Sequence, residues 1–253
     1  MLSRRVVVCL DVLGHRVVKG VAFQSLRDIG DPVELAIHYE REGADEIVFL
    51  DIAATNEKRG TILDVARRTA ERLFIPLTIG GGIRSAEDVA ATLRAGADKV
   101  SINSAAVRRP ELLTEAAARF GSQCVVISID ARRDGDSWRV FTNGGRERTE
   151  LDVVEWAMES VARGAGEIIL TSIDRDGART GYDIELTRLI AEGVQVPVIA
   201  SGGAGGAADV VNVISKGCAD AALVAGILHD GLTTVGALKL AIADAGFPIR
   251  RAA

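Results

Sequence analysis

The 253-residue sequence predicts an α/β fold of one domain spanning 1–253: a (β/α)8 barrel assembled from two repeated half-barrels, about 1–121 and 122–253. Three observations lead there. Short runs rich in Val, Ile and Leu recur eight times, with helix-like stretches between them. Most of these runs are continuously apolar rather than alternating, as parallel strands covered on both faces require. The chain also repeats itself. "EGADEIVFLDI" (42–52) and "RGAGEIILTSI" (163–173) match at a shift of 121, a length that holds four strand–helix units. A doubly wound sheet is the alternative, but it more usually carries about five or six strands.

The first strand is "RVVVCLD" (5–11), which ends on Asp11. After the loop 13–31 comes the helix pattern "DPVELAIHYEREGA" (31–44), capped by Asp31 and stopped at Gly43. "EIVFLD" (46–51) is the second strand and "PLTIG" (76–80) the third. The third runs into Gly81 and Gly82 before the Ser85-capped helix "SAEDVAATLRAGA" (85–97). "KVSIN" (99–103) and the helix "RPELLTEAAARFG" (109–121) complete the first half.

The second half opens with "CVVISID" (124–130), which matches the first strand at a shift of 119 and sets Asp130 opposite Asp11. The helix "TELDVVEWAMESVARGA" (149–165) and the strand "EIILTS" (167–172) follow. "PVIAS" (197–201) leads into a second glycine segment, where Gly202, Gly203 and Asp209 align with Gly81, Gly82 and Asp88 at a shift of 121. "AALVAG" (221–226) is the eighth strand.

Composition narrows the function. A net charge of −5, with Lys and Arg mixed among Asp and Glu, excludes a general nucleic-acid surface. The three cysteines form no CxxC pair and their odd number argues against a disulfide framework. Cys9 and Cys124 lie in apolar strand runs and read as buried thiols. The N-terminal apolar run is cut by Asp11, too soon for a secretory segment or a membrane span. The expectation is a reduced, cytoplasmic protein without membrane contact. His15, His38 and His229 lack ligand-like spacing, so neither a metal nor a cofactor is expected, and no serine has the His/Asp set that acyl chemistry needs.

Glycine costs roughly 0.5–1 kcal/mol relative to alanine inside a packed element, so a repeated glycine pair at a strand end has a reason. In this fold chemistry sits at the C-terminal strand ends, where glycines let backbone N–H groups approach an anion beside a helix start. Two such loops predict two anion sites and an elongated ligand phosphorylated at both ends. Asn103 and Ser104 extend the first cradle, and Ala225 and Gly226 the second. Asp11 and Asp130, each last in an apolar strand, suit a general acid and base. Asp51 and Asp176 are further loop acids, and Lys19 is expected to neutralise substrate charge or pair with one of them.

The segments "CLDV", "RVVKG", "LRDIGDPVELA", "FLDI", "TIGGGIRS", "GADKVSINSAAV", "GSQCVVISIDA", "TSIDRDG", "GYD" and "IASGGAG" resemble the cyclase subunit of imidazole glycerol phosphate synthase over essentially the whole chain. The resemblance implies a (β/α)8 enzyme of histidine biosynthesis. It implies ammonia taken from a partner glutaminase and used on the bisphosphorylated ribulosyl aminoimidazole carboxamide PRFAR. The products are imidazole glycerol phosphate and the carboxamide ribotide AICAR. Asp11 and Asp130 become the catalytic pair, and Lys19, Thr171, Asp176 and Gly177 join the glycine loops in binding substrate. Arg5, Glu46, Lys99 and Glu167 become a charged ring at the N-terminal face, where the glutaminase docks and ammonia enters.

The sister isomerase of the same pathway shares the repeat and the glycine loops. The wording of residues 13–31 and the four charges at the strand starts favour the cyclase. A degenerate phosphate-binding scaffold is a third reading, opposed by the presence of both aspartates. The chain departs from the family pattern at Ala22, Ala53 and Gly226, where Asn, Thr and Ser are usual.

Overall fold

A computed structural model describes residues 3–21, 24–52 and 59–250; Ala22 and Ala53 lie outside them. Eight parallel strands alternate with helices, and the fold class is the α/β (β/α)8 barrel. The chain divides into two compact units, residues 1–101 with 224–253, and residues 102–223.

The first unit runs β1 (Arg5–Leu13), β2 (Arg16–Val21), β3 (Gln24–Gly30), α1 (Pro32–Arg41), β4 (Glu46–Asp51), α2 (Arg59–Ala70), β5 (Leu77–Gly80), α3 (Ala86–Arg94) and β6 (Lys99–Ile102). The second holds α4 (Ser104–Arg108), α5 (Glu111–Phe120), β7 (Val125–Asp134), β8 (Ser137–Thr142), β9 (Glu147–Asp152), α6 (Val153–Ala162), β10 (Glu167–Ser172), α7 (Ile184–Gly193), β11 (Val198–Ser201), α8 (Ala207–Ser215) and β12 (Ala221–Val224). The first unit then resumes with α9 (Gly226–His229) and α10 (Val235–Asp244). Parallel pairing runs β1–β4–β5–β6 in one unit and β7–β10–β11–β12 in the other.

The expected strands are where the apolar runs place them. Val6, Val7, Val8, Leu10, Ile47, Val48 and Phe49 are fully buried in the first unit, as are Val125, Val126, Ile127, Ile129 and Ile168 in the second. Each large apolar side chain buried in this way contributes about 1.5–3 kcal/mol. Helix caps match as well: Asp31 accepts from Val33 and Glu34, and Ser85 accepts from Asp88.

The repeat is also a repeat of bonds. Ile47 N–H donates to Pro76 O at 3.0 Å, and Ile168 N–H donates to Pro197 O at 3.0 Å. Asp98 and Asp220 each accept from the first residue of the preceding strand, Leu77 at 2.8 Å and Val198 at 3.1 Å. The Asp88 carboxylate takes the Arg84 N–H at 2.8 Å, and Asp209 takes that of Gly205 at 2.9 Å. In the first unit Arg4 N–H donates to Pro248 O at 2.7 Å and Arg4 forms a parallel bridge with Ile249.

Three expectations need correction. Residues 13–31 are not simply a loop: β2 and β3 form an antiparallel ribbon on β1, and β8 and β9 do the same on β7. Both ribbons turn on two residues with a left-handed glycine first, Gly14 (φ 65°) and Gly135 (φ 62°), which fits the strand twist. The helix expected at 149–165 starts at Val153, because residues up to Asp152 belong to β9 and the Asp152 carboxylate caps the helix. Cys124 ends a 3-10 turn and is half-buried, whereas Cys9 is buried inside β1 as expected.

Candidate active site

Each unit carries an aspartate near the end of the parallel-paired part of its first strand, in different company. Neither is the last strand residue as expected, because β1 runs on to Leu13 and β7 to Asp134 into the ribbons. In the second unit Asp130 pairs in register with Thr171 of β10, and Thr171 in turn with Ser201 of β11. The Asn103 amide Nδ2 donates to Asp130 Oδ2 at 2.9 Å. Burial raises the Asp130 pKa to about 6, and the charge of nearby Asp176 adds to the rise; the Asn103 bond works against it. Burial raises Asp176 too, against the backbone N–H of Gly177 that steadies its carboxylate. Asp130, Asn103, Thr171, Asp176 and Gly177 therefore form one cluster. Sequence reasoning had set Asn103 in a phosphate cradle only; its amide is also the partner of the acid.

In the first unit Asp11 follows the buried Leu10 on β1, with the Cys9 thiol at 3.9 Å from its Oδ1. Lys19 does not use Asp51 or Asp176 in the way expected of it. Its ammonium binds the Asp230 carboxylate and donates to Gly226 O at 3.1 Å. Arg27 binds the other Asp230 oxygen at 2.6 Å. Asp51 is the last residue of β4 rather than a loop acid.

Next door, His229 bonds Cys9 O through Nε2 at 3.2 Å and the Tyr39 hydroxyl through Nδ1 at 2.8 Å. Burial drives the His229 pKa down to about 4, so the ring is neutral near pH 7: Nε2–H donates and Nδ1 accepts. Burial lifts Tyr39 to about 12, which keeps its hydroxyl proton in place. Neither Asp230 nor the Tyr39–His229 pair was singled out from sequence, because both depend on α9 folding back beside β1.

The glycines have a steric reason that sequence did not supply. Gly81 (φ 92°) and Gly202 (φ 89°) adopt matching left-handed conformations. A Cβ on Gly81 would run into the Asp51 carbonyl at the end of β4, and one on Gly202 into the Ser172 carbonyl at the end of β10. A Cβ on Gly203 (φ 103°) would meet Gly181 and Arg175. The expectation was that these glycines let backbone N–H groups approach an anion; at these three positions a neighbouring backbone also occupies the space a side chain would take. Gly82 (φ 66°) shares the left-handed backbone.

The short helices α4 and α9 start at matched places. Asn103 and Ala225, their preceding residues, share an unusual backbone (φ −125°, ψ −96° and φ −137°, ψ −79°), and no side chain caps either helix. Ser104 Oγ accepts the Asn143 N–H at 3.0 Å.

Three of the expected ring residues, Arg5, Glu46 and Lys99, lie at the N-terminal strand ends of the first unit. Glu46, 2% exposed, binds Arg5 at 3.2 Å and Lys99 at 2.8 Å, and accepts from Thr78 Oγ1 at 2.6 Å. Glu167, the fourth, begins β10 in the second unit and is buried. Among the described residues no helix is long and apolar enough to cross a membrane.

Residues 5–234 match the model of the family described as histidine biosynthesis protein. The imidazole glycerol phosphate synthase subunit HisF of Myxococcus xanthus is 68% identical over 250 residues, 99% of each chain. The subunit of the same name from Trichormus variabilis is 58% identical over 254 residues, again 99% of each chain. That of a Dehalococcoides mccartyi strain is 54% identical over 250 residues and 99% of each chain.

Proposed function

The chain belongs to the histidine biosynthesis protein family, among the cyclase subunits of imidazole glycerol phosphate synthase, and from that premise we propose that Asp11 and Asp130 convert PRFAR and ammonia to imidazole glycerol phosphate and AICAR. Ammonia adds to the ribulosyl carbonyl and water leaves. The incorporated nitrogen then bonds to the formimino carbon, closing the imidazole ring as the carbon–nitrogen bond to the departing carboxamide ribotide breaks and its nitrogen takes up a proton. Protons move in both directions along that path. The observation that carries the reading is the Asp130 cluster. A carboxyl with a pKa of about 6 has both of its forms within reach at neutral pH, as a group that gives and takes protons requires. Asp11 supplies the second carboxyl.

The substrate's two phosphates bind, in this reading, at the glycine loops and the short-helix starts. One set is Gly81, Gly82, Asn103 and Ser104; the other is Gly202, Gly203, Ala225 and Gly226, with Lys19 as the nearby cation. Uncapped amides at a helix start favour an anion. Gly226 in place of the usual Ser still offers its N–H.

The relatives are named as subunits of a synthase, so this chain works with a partner subunit. We assign that partner as a glutaminase that delivers ammonia at the N-terminal strand ends, past Arg5, Glu46, Lys99 and Glu167 and then Thr78 and Ser101. The cytoplasm is the setting that fits. The test is PRFAR consumption by the purified chain with ammonium salt, and by the chain plus glutaminase with glutamine. Turnover in neither assay would overturn the assignment.

A further inference from the structure

The pairing of Lys19 with Asp230 carries an inference that deepens the reading above and rests on Lys19 serving a substrate phosphate. Lys19 on β2 and Arg27 on β3 are direct register partners across the ribbon. Directly opposed residues of an antiparallel pair point to the same face, so both cations reach the same place. That place is the carboxylate of Asp230, one oxygen for each cation.

Asp230 follows α9 immediately, and its own N–H donates to Gly226 O at 3.1 Å. Lys19 Nζ donates to that same oxygen. One carboxylate thus clips both strands of the ribbon to the short helix that begins at Gly226. We propose that Asp230 is a positioning residue: it holds the Lys19 ammonium at the Gly226 end of a phosphate cradle before substrate arrives.

Two considerations support a role in binding over bare anchoring. A lysine side chain has about 2 kcal/mol of rotamer entropy to lose, and a clip in the free protein meets that cost ahead of the ligand. Two cations around one carboxylate also leave a net positive charge, so the clip does not cancel the attraction for a phosphate. The Lys19 and Asp230 side chains are only 23% and 21% exposed, so salt screens the clip less than an ordinary surface pair.

The experiment measures KM and kcat for PRFAR, with ammonium as nitrogen donor, in Asp230→Asn, Asp230→Glu, Lys19→Met and the Lys19→Met/Asp230→Asn double variant. Asp230→Asn should raise KM about tenfold with kcat within about twofold, the pattern of lost binding rather than lost chemistry. Asp230→Glu should recover most of the loss. The double variant should be no worse than Lys19→Met alone, because Asp230 acts through Lys19. An unchanged KM in Asp230→Asn, or losses that multiply in the double variant, would overturn the proposal. Amide exchange in residues 16–21 and 24–30 separates the clip from the phosphate reading. Faster exchange in Asp230→Asn with an unchanged KM in Lys19→Met keeps the clip and removes the phosphate role; unchanged exchange removes the clip itself.

Discussion

Glu46 and Glu167 stand 121 residues apart, each the first residue of its strand and each buried, and the sequence positions that match around them differ. Around Glu46 are Arg5, Thr78 and Lys99. The matching positions of the second half are Cys124, Ile199 and Ala221, none of them a cation or a hydroxyl. One residue earlier the contrast recurs. Asp45 accepts the Val6 N–H at 2.8 Å and pairs with the buried Lys239, whereas its counterpart is Gly166. At the other ends of the strands the halves agree, with Asp11 against Asp130 and Gly81 against Gly202. The backbone ladder is common property, and side chains have specialised at one end of one half.

The largest expected effect separates the floors. Lys239→Met leaves the Asp45 carboxylate buried with, among the described residues, only Arg250 as a cation, on a side chain 53% exposed. Removing one partner of a buried pair costs about 3–5 kcal/mol, and Arg250 holds the loss near the lower end, about 3 kcal/mol by denaturant unfolding. A loss under about 1 kcal/mol would mean that the charged floor adds no more anchoring than the glycine opposite.

Next come the ends that agree. Asp11→Asn and Asp130→Asn should each lower ammonia-dependent turnover by at least ~10²-fold with the fold intact by circular dichroism. Normal turnover in either variant would break the equivalence of the two acids.

Asp130 also makes a pH prediction. Its folded pKa of about 6 lies above the ordinary carboxylate value. The folded state therefore prefers the protonated form, and stability falls as pH rises through about 6. Asp130→Asn should be more stable than the parent by on the order of 2 kcal/mol at pH 7–8, with the gain fading as pH drops toward 4. A gain independent of pH would show that burial of the charge is not its source.

Gly81→Ala and Gly202→Ala should each cost about 1–3 kcal/mol, because a Cβ meets a backbone carbonyl at a left-handed φ. Equal losses sharpen the comparison and a large inequality breaks it. The smallest effect is kinetic: Lys99→Ala should reduce glutamine-dependent turnover a few-fold more than ammonia-dependent turnover. Equal losses would count against ammonia entering beside Glu46.

Continuous apolar runs and the 121-residue shift made all eight barrel strands legible, because both signals report burial on two faces and a duplicated ladder. The ribbons were harder. Arg16–Val21 and Glu147–Asp152 mix charged and apolar residues, and residues 149–152 fall inside the next helix pattern. A signal was present all the same: Gly135–Asp136 is a two-residue hairpin mark, and Gly14 stands in the matching place. The glycine pairs were noticed for the right position, but their collision with Asp51 and Ser172 depends on the neighbouring strand and has no local trace. Asp230 was invisible for the same reason. Its partners lie more than two hundred residues earlier, on a ribbon that sequence reading treated as a loop.

The meeting of Arg4 with Pro248 and Ile249 means that the order in which this chain is translated is only one way to thread it. A linker joining the chain after Ile249 to the chain before Arg4, with new ends opened at the Gly135 turn, would leave every barrel strand uncut and every pair of matched bonds intact. Such circularly permuted chains are tolerated where the joined segments adjoin and the new ends fall in exposed turns. The molecule is then better described as a cycle of four-strand modules than as a line with a beginning.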